Sequence, residues 1–133
     1  EIYFMSVNPE QVPEIQSKAD ILLLPLRRGV AKTALPSKMT AYMMSGRPII
    51  ASIDRDSEAS IIIESNCCGW ITEAENEAEL IKCMKKARMA DFESLSKMGR
   101  AGLKYAKINL SKTSNLNKIS LLISKSKRRI DLC

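Results

Sequence analysis

The 133-residue chain carries 45% hydrophobic residues, enough for one globular domain with its own core and too many for a disordered chain. It has no histidine, which removes His-based triads, imidazole metal sites and imidazole acid–base chemistry. Its net charge of +6 is uneven: residues 96–133 hold ten Lys or Arg against one Asp, a charge of +9, which leaves −3 for residues 1–95.

In chain order, EIYFMS is a short strand-like run with no lead-in, as expected of a piece of a longer chain. PEQVPEIQSKA approaches a helix, and Asp20 begins a new segment. ILLLPL is a continuous apolar run of strand length, the mark of a strand buried on both faces. RRGVAKTA reads as a polar, basic loop holding Arg27, Arg28, Gly29 and Lys32. In PSKMTAYMMSG, Pro36 suits a first helical turn, Ser37 can offer its hydroxyl to free amides, and Gly46 with Pro48 stops the helix. Tyr42, Met43 and Met44 read as core packing.

PIIAS is a second buried strand. After IDRDSE, ASIIIESN is a short helix that Glu58 helps to start. GWIT is a third core strand, with Trp70 in the core, and NEAELIKCMKKARMA is an amphipathic helix with Ala78, Ile81, Met84 and Ala87 on one face. The remainder reads as two basic helices joined near Asn109–Ser111. Cys67 and Cys68 stand in an apolar context, and with Cys83 and Cys133 they lack metal-ligand spacing; buried reduced thiols and a cytoplasmic setting fit best. No apolar run approaches the roughly 20 residues of a membrane span, and no secretory signal pattern is visible.

Alternating strands and helices predict an α/β, doubly wound parallel sheet in three layers, Rossmann-like in plan. Ligands of such sheets sit beyond the carboxyl ends of the strands. Two of those ends lead into the Arg27–Lys32 and IDRDSE loops, and both loops would face the helix entrance at Pro36–Lys38. Bare amides there, beside Lys38, make an anion site.

The series ADILLLPL, ALPSKMTAYMMSGRPIIAS, a Ser-Glu pair and CCGWI before an acidic helix resembles the C-terminal domain of GT-B glycosyltransferases. It is most similar to the retaining family-four enzymes of capsule and O-antigen synthesis. The resemblance runs from about Ile2 to Ala90 and more loosely through the final helices. It implies a donor-binding half, with residues 1–95 as a partial nucleotide-sugar-binding domain and residues 96–133 as basic helices packing on it or leaving it. Implied donor and phosphate contacts are Arg28, Thr33, Pro36, Ser37, Lys38 and Glu58, with no metal and no cofactor; catalytic residues are not assigned. The implied partners are a nucleotide diphosphate sugar, a saccharide or lipid-linked acceptor and a separate N-terminal domain, and no nucleic acid.

The chain departs from that pattern at two points. The family's Glu-x7-Glu pair falls on Thr33 and Ala41, which removes charge-assisted contacts worth roughly 1.5–3 kcal/mol each. The domain's first two strands are also not found, and IYFMS corresponds to the third, so the chain alone is expected to be inactive. The substitutions at Thr33 and Ala41 favour an alternative reading, a non-catalytic interaction module on a Rossmann-like fold. A basic nucleic-acid adaptor would rest on the basic tail alone, and Tyr105 is its one interleaved aromatic. The Lys125–Arg129 cluster is expected instead to favour peripheral contact with an anionic membrane.

Overall fold

The computed structural model describes residues 2–130, with side chains through Ser124. The class is α/β. A 3-10 turn at Pro9–Gln11 leads into α1 (Val12–Lys18), followed by β1 (Leu22–Pro25), α2 (Val30–Thr33), α3 (Ser37–Met44) and β2 (Ile49–Ser52). The chain continues through α4 (Glu58–Ser65), β3 (Gly69–Thr72), α5 (Glu77–Arg88), α6 (Phe92–Asn109) and α7 (Lys112–Ile130). The ILLLPL, PIIAS and GWIT runs supply the three strands, but of the two runs read as buried on both faces only PIIAS is so; β1 lies at the sheet edge, where Leu23 and Pro25 are exposed. The strands lie parallel in the order β1-β2-β3, with Leu24 opposite Ala51 and Ala51 opposite Ile71.

β2 is the central strand and is buried along its whole length. Leu24, Ile49 and Ala51 join Met39 and Met43 of α3, Ile62 and Ile63 of α4, and Ala106 of α6 in one apolar cluster. On the other face, α5 packs against β2 and β3. Its buried side holds Ala87, with Leu80 and Cys83 half-buried, which corrects the expected stripe: Ala78 is exposed, and Ile81 and Met84 keep 53% and 48% exposure. Met84 borders an open groove over Leu23 and Ile50, where the sheet ends at β1 and gives it nothing to pack on. Trp70 is likewise only half-buried, because β3 is an edge strand. Met43 is fully buried but Met44 faces outward at 43% exposure.

Two further expectations are corrected. Residues 2–8 form no strand, and Ile2, Tyr3, Phe4 and Met5 are 70–97% exposed. A strand is held by its neighbour's ladder, and none of the three strands pairs with this segment. The RRGVAKTA stretch is not all loop, since Val30–Thr33 form the single helical turn α2 after Gly29 at φ 84°. The terminal helices meet between Asn109 and Lys112, at the predicted break.

α6 reaches the core through small residues. Gly99, Gly102 and Ala106 are its buried positions, at i, i+3 and i+7 on one face. A Cβ on Gly99 would lie 2.0 Å from the carbonyl oxygen of Gly46, and one on Gly102 would lie 3.2 Å from Cys68 Cβ. The backbones of α6 and the α3 stop are therefore in direct contact. Among the described residues, no helix is long and apolar enough to cross a membrane. Gly99→Ala is expected to destabilise the fold by about 1–3 kcal/mol or more, because a backbone carbonyl cannot step aside; thermal unfolding measures it, and an unchanged midpoint refutes the close approach.

Candidate functional site

Three loops leave the carboxyl ends of the strands: Leu26–Gly29 after β1, Ile53–Ser57 after β2 and Glu73–Asn76 after β3. The first two are tied together by Asp54, a buried carboxylate. Both of its oxygens accept the backbone N–H of Gly29, at 3.0 and 2.8 Å. On its own loop, the Asp54 carbonyl accepts the Ser57 hydroxyl at 2.6 Å, and Ser57 Oγ in turn accepts the amide of Ser60 as the cap of α4. One aspartate thus sets the start of α2 and the approach to α4.

The cations at this end of the sheet divide into two sets. Lys32 donates to Asp56 at 2.7 Å, and that hydrogen bond raises the lysine's pKa and lowers the aspartate's. Arg55 pairs with Glu79 and approaches Glu73 at 3.8 Å. Glu79 also accepts the Glu73 amide at 2.9 Å, the main reason its carboxyl lies below its ordinary value. Arg27, Arg28 and Lys38 are exposed and form no ion pair among the described residues.

An open cleft of about 330 Å³ lies beside β1, between α2 and the start of α3. Leu24, Leu26 and Val30 form its apolar side, and Thr33, Pro36, Ser37 and Lys38 close the other. Four of the six residues expected at a donor site therefore share one cleft. Arg28 stands on the turn before Gly29 and Glu58 at the first position of α4, and neither lines it. Pro36 is the residue preceding α3 rather than its first, and its carbonyl accepts the Met39 amide at 3.0 Å. Ser37 is the first helical residue and makes no capping bond, which corrects its expected role. Its N–H and that of Lys38 have no acceptor among the described residues. The Thr33 hydroxyl donates to the Val30 carbonyl at 3.1 Å. Ala41 is exposed on α3 and does not line the cleft. Among the described residues, no group of three His, Cys, Asp or Glu is placed to hold a metal ion.

Sequence reasoning missed Asp54 and the Arg55–Glu79 pair. Asp54 lies 25 residues from Gly29 and Arg55 lies 24 from Glu79, beyond any local spacing rule. Cysteine placement is corrected in part as well: Cys68 is buried, whereas Cys67 is exposed at φ 50° in the turn after α4. Burial raises the Cys68 thiol to about 11. Comparison of the chain with protein-family models, with characterised proteins and with solved structures gave no match.

Removing the Asp54 carboxylate leaves the Gly29 amide without its acceptor. Asp54→Ala is expected to cost about 1–3 kcal/mol in denaturant unfolding, and no loss of stability would show that the tie is dispensable. Alkylation at pH 8 followed by peptide mapping should label Cys67 well before Cys68, since the Cys68 thiolate is both buried and disfavoured. Equal rates would contradict the burial of Cys68.

Proposed function

We propose that this chain is the donor-binding part of a glycosyltransferase, moving a sugar from a nucleotide diphosphate sugar to a saccharide or lipid-linked acceptor in surface polysaccharide synthesis. The supporting observation is the cleft at the carboxyl end of a parallel sheet, where among the described residues the amides of Ser37 and Lys38 have no acceptor and the Lys38 ammonium has no carboxylate partner. Free helix-terminal N–H groups and an ammonium are the groups that hold a diphosphate and stabilise its charge as it leaves. In this reading the domain is the C-terminal part of a three-layer GT-B domain, with β1, β2 and β3 as its later strands. The acceptor belongs to a separate N-terminal domain, and the chain works on the cytoplasmic side, where it meets its donor.

Thr33 and Lys38 then face the donor from α2 and α3, and Pro36 and Ser37 shape the floor between them. Arg28 reaches the same region only by extending from its exposed turn. Glu58 serves the start of α4 in the first instance, as a carboxylate at a helix N-terminus does.

The alternative is a non-catalytic interaction module on the same fold. Thr33 and Ala41 favour it, because the first already gives its hydroxyl to Val30 and the second offers no polar atom. Calorimetry with uridine and guanosine diphosphates separates the two readings. The donor-binding reading expects saturable binding, weakened by about 1–2 kcal/mol in Lys38→Ala, the scale of one partly exposed charged hydrogen bond. Absence of binding by both nucleotides at low salt selects the interaction module instead.

A further inference from the structure

Among the described residues, the apolar side chains of α7 as far as Ser124 find no cover. Its extensive contacts are with α6 alone, near the junction where Ser111 Oγ accepts the Ser114 amide at 3.2 Å and Ser114 in turn donates to the Ile108 carbonyl. Beyond that hinge, Leu116, Ile119 and Ile123 are 53%, 52% and 56% exposed and border one shallow groove along the helix. Their spacing of three and four places them in a single stripe. Leu121 is on the other side of the helix, about 200° round from Ile119, and is also exposed.

Charge decides what can cover this stripe. From Lys97 to Ile130 the sequence holds ten Lys or Arg and no Asp or Glu. A second copy of α7 would set like charges together with no carboxylate to offset them. The stripe also spans two helical turns, against the three to four heptads that a stable helix pair in water needs. A nucleic acid would meet the charge but leave the three aliphatic side chains in water, and α7 has no aromatic residue on which a base can stack. An anionic bilayer meets both requirements. Its hydrocarbon boundary takes an apolar face to a depth of roughly 5–10 Å, and its headgroups attract the Lys and Arg residues that the segment carries in sequence.

We infer that α7 is an in-plane membrane anchor, lying on an anionic phospholipid surface with Leu116, Ile119 and Ile123 directed into it. The apolar stripe makes the contact more than the attraction of a charged tail. The inference does not depend on the donor-site reading, so absence of nucleotide binding leaves it untouched.

The test is co-sedimentation of the 133-residue protein with vesicles of phosphatidylcholine alone or mixed with phosphatidylglycerol. Binding to the mixed vesicles is expected to be tighter by roughly tenfold or more and to weaken as salt is raised. The triple variant L116Q/I119Q/I123Q should lose roughly tenfold or more of that affinity. Its thermal unfolding should match the parent's, since these side chains do not join the core. L121Q, on the opposite side, should bind as the parent does. Failure of the parent to bind anionic vesicles at low salt overturns the inference. So does a triple variant that binds unchanged, or one matched by L121Q. Tighter binding to a single-stranded oligonucleotide, retained in the triple variant, would assign α7 to nucleic acid instead.

Discussion

The carboxyl end of the sheet depends on one buried carboxylate. Asp54 leaves the central strand and spends both oxygens on a single backbone amide 25 residues away in sequence. A buried polar group without partners is costly, so the position of Gly29 is dictated by the need to satisfy it. Gly29 can meet that need because it tolerates φ 84° at the start of α2. Lys32 in α2 and Asp56 on the Asp54 loop then pair across the same seam. The wall of the cleft formed by Val30 and Thr33 is in this sense an outcome of the aspartate's hydrogen bonds.

The arrangement also accounts for which cations remain available. Lys32 and Arg55 are drawn into pairs that hold loops together, and their partners Asp56 and Glu79 are correspondingly held in the ionised form. Among the described residues Lys38 has no such partner, and it stands at a helix end whose first amides have no acceptor. Arg27 and Arg28 are likewise without an ion pair among the described residues, but of these three cations Lys38 is the one that lines the cleft beside α3.

The elements that could be read in the sequence are those whose signal is local. LLLP, IIAS and GWIT are apolar runs of strand length, and Gly46 and Pro48 stop α3. What could not be read needed a partner's position. IYFMS has strand composition, but it joins none of the three strands of the sheet and forms no strand. The apolar positions Ile81 and Met84 have helical spacing, yet which side of α5 is buried depends on where a three-stranded sheet ends. That Thr33, Pro36, Ser37 and Lys38 would lie together was legible because they are close in sequence. The Gly29–Asp54 and Arg55–Glu79 contacts were not, because the chain meets itself there after two dozen residues.

The glycine contact between α6 and the end of α3 bears on the order in which the chain assembles. The parallel pairs are closed over 27 residues (Leu22 to Ile49) and 20 residues (Ile49 to Gly69), whereas Gly46 and Gly99 meet across 53. Closure entropy grows with the length of the loop, so this contact is entropically the harder one to make. The sheet and its crossover helices can form before α6 docks, and Met43 and Cys68 remain uncovered on that side until it does. A chain paused at that stage presents a patch of sulfur-bearing side chains to solvent, and the late arrival of two glycines ends that exposure.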